Sequence, residues 1–170
     1  ATTTNVAEIT GKNSVTTSVN GTVTFAGNGA NITGKTVDSQ ATLNSAGTLS
    51  ITSTDGTLSL SHASPGNISV TQGDLILSST LDLTTSGVID VASTFSAQTE
   101  RGNIVINSDI TSDAVSAETD AGDITISAEL ATGGDIAFTS AQDIEVQTGT
   151  IMTSENGTID LTGKDHGISN

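Results

Sequence analysis

The sequence predicts an all-β protein folded as a parallel β-solenoid, in which short strands wind around one axis in stacked coils. Aliphatic residues recur about every 20 residues through most of the chain, and a glycine often comes just before a pair of them. Aromatic residues make up only 2% of the chain, which suits a narrow bore filled by small branched side chains. We therefore expect about 20 residues and three short strands in each coil.

Three columns of aliphatic residues define the expected coil. The middle column consists of Ile68, Ile89, Ile110, Leu130 and Ile151. One flanking column consists of Leu60, either Leu81 or Leu83, Ile104, Ile124 and Ile144, and the other of Leu75, Phe95, Val115, Ile136 and Ile159. Members of a column should stack at the spacing of neighbouring strands. In this register Ile110 points inward between Ile89 and Leu130.

The strands share the motif glycine, any residue, aliphatic, any residue, aliphatic. It occurs at residues 47–51, 56–60, 66–70, 102–106, 122–126 and 157–161. Apolar residues at positions i and i+2 have the period of a strand that is buried on one face. Glycine, asparagine and aspartate before the strands suit sharp corners, because they tolerate positive φ. The intervening Ser and Thr residues are expected on the outer face.

A single domain is expected, with three parts. Residues 1–46 alternate well but do not fall into the later register, so they predict less regular or capping coils. Residues 47–163 predict regular coils, and residues 164–170 predict a tail or the start of another coil. Because nothing amphipathic follows the last coil, we expect an open strand edge there. This predicts a segment of a longer solenoid or a unit that stacks end to end.

Charge narrows the expected partners. Only Lys12, Lys35, Arg101 and Lys164 oppose 19 acidic residues, and the net charge is −15. Nucleic acid binding needs clustered basic residues, and the same repulsion disfavours anionic membranes, so neither partner is expected. No apolar run is long enough for a membrane span. The absence of Cys fits a secreted or cell-surface protein that does not rely on disulfides, although many cytosolic proteins also lack Cys.

Catalysis is not expected, and we assign no catalytic or cofactor-binding residue. His62 and His166 lie far apart in the sequence, which argues against a shared triad or metal site, so they are expected to be solvated. Arg101 is the only arginine, and no Tyr or Trp is present to hold a sugar. Asp120 and Asp123 form one of several close carboxylate pairs. Such pairs are weak evidence for acid and base roles unless their surroundings shift the pKa of one carboxyl group relative to the other.

One row of oxygen-bearing side chains is the best candidate for a metal site. Asn103, Asp123 and Asp143 occupy one position in three consecutive expected coils, and oxygen ligands favour calcium. The alternative is that they form corners and hydrogen-bond their own backbone. Gly133, Gly134 and Asp135 are only a fragment of a calcium-binding nonapeptide. We therefore assign no metal ligand, and calcium binding stays open.

Tandem strands such as Gly102-Asn-Ile104-Val-Ile106 and Gly122-Asp-Ile124-Thr-Ile126, with Ser and Thr outside and no Cys, resemble the β-helical repeats of filamentous-haemagglutinin-type large exoproteins and related bacterial adhesins. The resemblance covers residues 47–163 and implies a right-handed parallel β-helix. The secretion domain of that family carries Asn-Pro-Asn signatures, and no Asn-Pro occurs here.

The resemblance implies a non-enzymatic structural rod or stalk segment of a secreted or cell-surface adhesin, with an unidentified ligand on a host or neighbouring cell. A self-assembling extracellular filament or surface-layer subunit, joined by end-to-end self-association, is the first alternative. A solenoid polysaccharide-processing enzyme is the second.

Overall fold

The computed structural model describes residues 6–10, 14–16, 22–61, 67–164 and 167–169, and every regular element in them is a β-strand. The strands are β1 Val6–Thr10, β2 Ser14–Thr16, β3 Thr22–Phe25, β4 Gly29–Gly34, β5 Thr36–Ser39, β6 Thr42–Ser45, β7 Thr48–Ser53, β8 Leu58–Ser61, β9 Asn67–Val70, β10 Leu75–Ser79, β11 Leu83–Val91, β12 Thr94–Thr99, β13 Ile104–Ser112, β14 Ala114–Thr119, β15 Ile124–Ile126, β16 Glu129–Thr132, β17 Ile136–Ser140, β18 Asp143–Val146, β19 Ile151–Ser154, β20 Ile159–Gly163 and β21 Gly167–Ser169.

These strands form the coils of a parallel β-solenoid, as the sequence predicts. Face 1 is a sheet of eight described strands in the order β1, β4, β7, β10, β12, β14, β17, β20. Face 2 runs through β2, β5, β8, β11, β13, β15, β18 and β21. Face 3 runs through β3, β6, β9, β11, β13, β16 and β19. Neighbouring strands pair in parallel along each face.

Two long strands belong to both face 2 and face 3. The first half of β11 pairs with β8, and its second half pairs with β9. β13 divides in the same way between β15 and β16. Gly87, inside β11, has a φ of 98°, a conformation that favours glycine and lets the strand turn the corner without ending.

The middle column of the core confirms the predicted stacking of Ile110. Ile110 pairs with Ile89 on one side and with Leu130 on the other, and its side chain is 1% exposed. The column that runs from Leu75 through Phe95, Val115 and Ile136 to Ile159 also has the predicted register. Each coil thus contributes aliphatic side chains to one continuous core.

Two predicted positions in the columns are wrong. Met152, not Ile151, pairs with Leu130, and Ile151 is 54% exposed. On face 2, Leu83 aligns with Leu58 and Ile104, whereas Leu60 aligns with Thr85. Both errors arise where the coil is longer than the usual 20 or 21 residues, since the step from Leu58 to Leu83 is 25 residues and the step from Leu130 to Met152 is 22.

Strands within residues 1–46 join the same three faces as the later coils. β4 pairs with β7, β5 with β8 and β6 with β9, all in parallel. The side chains of Ala30, Ile32, Val37 and Leu43 are buried in the common core. The core therefore extends into the first quarter of the chain.

At the other end, β19, β20 and β21 are the last strands of their faces in the described part of the chain. Ile159 is 46% exposed there, and Met152 and Leu161 are only partly buried against the core. An edge of this kind presents unpaired main-chain groups together with apolar side chains.

Candidate functional site

The row of Asn103, Asp123 and Asp143 forms a hydrogen-bonded ladder at the corner between faces 1 and 2. The main-chain N–H of Asp123 donates to Oδ1 of Asn103 at 2.9 Å, and the N–H of Asp143 donates to Oδ1 of Asp123 at 3.1 Å. Asp82 extends the ladder by one coil, because its Oδ1 accepts from the N–H of Asn103 at 2.8 Å. We call these four residues the corner ladder.

The corner ladder binds one coil to the next, since the side chains of Asp82, Asn103 and Asp123 each accept a main-chain N–H from a residue 20 or 21 positions further on. The same arrangement occurs at other corners. The carboxylates of Asp74, Asp109 and Asp135 accept the main-chain N–H of Thr94, Glu129 and Thr158, respectively. These residues are therefore corner formers that hydrogen-bond the backbone, but the backbone that they bond belongs to the following coil.

Behind the corner ladder lies a buried column of hydroxyl groups that was not predicted from the sequence. Ser53, Ser79, Thr99, Thr119 and Ser140 align in neighbouring strands of face 1, and each is at most 2% exposed. Thr119 Oγ1 donates to the carbonyl oxygen of Gly102 at 2.8 Å, and Ser140 Oγ to that of Gly122 at 2.7 Å. These acceptors belong to the preceding coil. The hydroxyls thus satisfy main-chain carbonyls that bend into the core at the corner.

Glycines let the coils approach one another closely at this corner. A Cβ atom added to Gly122 would overlap the carbonyl oxygen of Gly102, and one added to Gly102 would overlap the main-chain nitrogen of Asp82. Neither position has a positive φ among the described residues. Close stacking of backbone on backbone, not backbone conformation, therefore requires glycine at both positions.

Among the described residues, the corner ladder is the group of side-chain oxygen atoms that most resembles a cation site. The described residues contain no group of three or more His, Cys, Asp or Glu side chains placed to hold a metal ion. Oδ1 of Asp82 and Oδ1 of Asp123 each already accept a main-chain hydrogen bond. These hydrogen bonds form without a cation, so the geometry of the corner ladder does not require calcium, and calcium binding stays open.

The remaining polar candidates do not gather into a catalytic cleft in the described part of the chain. His62 and His166 lie outside the described residues. Arg101 and Asp120 are exposed, whereas Asp123 is half-buried and takes part in the corner ladder. A shallow depression on face 1 is lined by short side chains such as Ser96 and Ser116, with Gln98 and Glu118 beside them.

Comparisons with protein families, with curated proteins and with solved structures found no match to this chain. Among the described residues, no helix has the length and apolar character needed to cross a membrane. A functional proposal therefore rests on the stacked coils and on the hydrogen bonds at their corners.

Proposed function

We propose that the chain is a non-enzymatic structural rod, a stalk segment of a secreted or cell-surface bacterial adhesin. The observation that carries the proposal is the uninterrupted stacking of one coil on the next, in the core and at the corners. Leu43, Ile68, Ile89, Ile110 and Leu130 form a single column and are at most 1% exposed. The corner ladder and the buried hydroxyls bond the same coils along the axis.

Stacked coils of this kind make a long, stiff particle and do not by themselves form a pocket. Each coil contacts only its neighbours, so a solenoid grows by about 4.8 Å per coil without changing its cross-section. Because the net charge is −15, neighbouring rods repel one another side by side, which keeps them soluble and separate. A stalk needs these properties. The resemblance to adhesin repeats supports the same function and an extracellular location.

Duplication of one coil tests the rod. Residues 94–113 hold β12 and β13, and Ala114 aligns with Thr94, so a second copy inserted after Asp113 keeps the register. We expect small-angle X-ray scattering to show a particle about 4.8 Å longer with the same cross-section. Insertion of the same 20 residues in scrambled order is the control, and it should disrupt the fold. A duplicated chain that widens or unfolds would contradict the proposal.

An enzymatic function is tested separately with acidic and neutral polysaccharides. The rod proposal predicts that no new reducing ends appear after incubation with the purified chain. Their release would favour the alternative of a polysaccharide-processing solenoid. Loss of that release in a variant such as Asp123→Asn would then locate the reaction at the corner ladder.

The filament is a second candidate, supported by the edge that β19 and β20 form in the described part of the chain. Ile151 and Ile159 are 54% and 46% exposed there, and parallel strand edges can pair with a second copy. Stacking of this kind does not close on itself, so it would produce filaments. Sedimentation over a wide concentration range, with negative-stain images, tests the candidate.

The variant Ile159→Asp should abolish such filaments. Ile76→Asp is the matched control, because Ile76 is 40% exposed on the side of face 1 and not at the edge. A wild-type chain that remains monomeric at every concentration would eliminate the filament and leave the stalk.

A further inference from the structure

Two hydroxyl groups in the core have no protein partner. Oγ1 of Thr85 and Oγ of Ser108 are buried, and neither forms a hydrogen bond with any group in the described part of the chain. Both residues are 0% exposed. They differ from Thr99 and Thr119, whose equally buried hydroxyls each donate to a carbonyl oxygen. Buried polar atoms without a protein partner are rare in folded proteins, and a bound water molecule often satisfies them.

The two hydroxyls lie at the same corner of the core, between faces 2 and 3. Ser108 pairs directly with Gly87 of the preceding coil, and Thr85 precedes Gly87 by two residues in the same strand. Inward positions alternate along a strand, so both side chains are directed into the core. Thr85 thus lies two positions before Gly87 in its own strand, and Ser108 lies opposite Gly87 in the following coil.

Small residues continue at this corner into the following coil. Ala128 lies opposite Ser108, since Ile106 pairs with Ile126 and Ile110 with Leu130 on either side. Gly87, Ser108 and Ala128 thus succeed one another at this corner, whereas the column on the side of face 3 carries Ile89, Ile110 and Leu130. The side chains of this column are therefore shorter than those of the neighbouring aliphatic column.

We propose that this corner is an internal hydration site, in which one buried water molecule bridges Thr85 Oγ1 and Ser108 Oγ. The site consists of Thr85, Gly87, Ser108 and Ala128. A hydroxyl both donates and accepts, so two hydroxyls supply the minimum of two polar partners that a buried water needs. The bridge connects β11 to β13 where neither side chain reaches a carbonyl.

A crystal structure at high resolution gives the direct test. We expect one ordered water within about 2.7 to 3.2 Å of both hydroxyl oxygens. The variant with both Thr85→Val and Ser108→Ala should lose this water. Absence of solvent density between the two hydroxyls in the wild-type chain would overturn the proposal.

A double-mutant cycle gives the energetic test in solution. Chemical denaturation is followed by circular dichroism, because the chain contains no Trp and no Tyr. We expect Thr85→Val and Ser108→Ala each to lower the folding equilibrium constant about fivefold, because each leaves the water and the other hydroxyl with too few partners. The double variant should lose much less than the product of the two effects, since the shared water then leaves.

The half-buried outer residue Thr84 supplies the matched control, because Thr84→Val makes the same substitution one position along the strand. It should leave the equilibrium constant nearly unchanged. If the effect of the double variant equals the product of the single effects, whatever their sign, the two hydroxyls share no water and the proposal is wrong.

Discussion

Asp123 donates its main-chain N–H to the side-chain Oδ1 of Asn103, 20 residues earlier, at 2.9 Å. The two residues occupy the same corner in consecutive coils. Their hydrogen bond therefore runs along the axis of the solenoid and not within a coil. It supplements the main-chain ladder at the point where face 2 begins.

Removal of this acceptor should weaken the fold modestly. We expect Asn103→Ala to lower the free energy of unfolding by about 0.5 to 1.5 kcal/mol, the usual net value of one hydrogen bond. Denaturation followed by circular dichroism measures the change. Gln98→Ala is the control, because Gln98 is exposed on face 1 and should change stability by less than about 0.5 kcal/mol. Equal effects of the two substitutions would contradict a stabilising role for the ladder.

A charge in the core should prevent folding. Ile110 is 1% exposed between Ile89 and Leu130, so Ile110→Asp would bury a carboxylate without a partner, at a cost of several kcal/mol. That cost is comparable with the total stability of many domains, about 5 to 15 kcal/mol. Thr111→Asp introduces the same charge at the next, exposed position, and this control should fold. Circular dichroism distinguishes the outcomes, and a folded Ile110→Asp protein would refute the register.

Two corner glycines should respond differently to alanine. Gly122→Ala would place a Cβ against the carbonyl oxygen of Gly102, so the coils must separate and stability should fall by more than about 1 kcal/mol. Gly133→Ala would meet only Asp113 Oδ1, at 3.7 Å, and should be nearly neutral. Thermal melting of both variants checks the difference. Similar melting temperatures would show that close stacking at Gly122 does not limit stability.

Salt should stabilise the chain, and calcium should do so beyond its ionic strength if the corner ladder binds it. At net charge −15, screening reduces repulsion among the acidic side chains. A bound ion would add stability by mass action. Thermal melts in sodium and calcium chloride at matched ionic strength measure both effects. Asp123→Asn should remove the calcium-specific part, and identical midpoints in the two salts would leave only screening.

The sequence was sufficient to predict the parallel coils and most of the core. Aliphatic residues recur at Ile89, Ile110 and Leu130 with steps of 21 and 20, so the spacing over several coils defines the inward position. At the end of the column the spacing fails, because the turn containing Gly149, with a φ of 93°, lengthens the coil. Spacing alone could not decide between Ile151 and Met152.

The buried column of hydroxyl groups could have been predicted from the alternation of inward and outward positions along each strand. Thr99 follows Phe95 and Ala97 at the same two-residue spacing, and Thr119 follows Val115 and Ala117, so each hydroxyl continues an inward series. We expected Ser and Thr on the outer face because of their polarity. The structure buries some of them because carbonyl groups turn inward at the corner and need donors.

The partners of the corner ladder could not be predicted from local sequence. Asparagine and aspartate usually bond their own neighbouring backbone in turns, and this was the expected alternative for Asn103. In stacked coils the nearest available N–H belongs to a residue a full coil away. Only the three-dimensional stacking brings the two groups together.

The axial hydrogen bonds that involve a side chain at the corner between faces 1 and 2 have a common polarity. In the corner ladder and in the bonds from Thr119 and Ser140, the donor lies in the later coil and the acceptor in the earlier one. A coil that has already formed thus offers fixed acceptors to the chain that follows it. The main-chain bonds at this corner run both ways, from the N–H of Leu83 to the carbonyl oxygen of Asn103 in the later coil and from the N–H of Arg101 to that of Thr80 in the earlier one. The side-chain bonds are therefore what gives this corner a single direction along the axis.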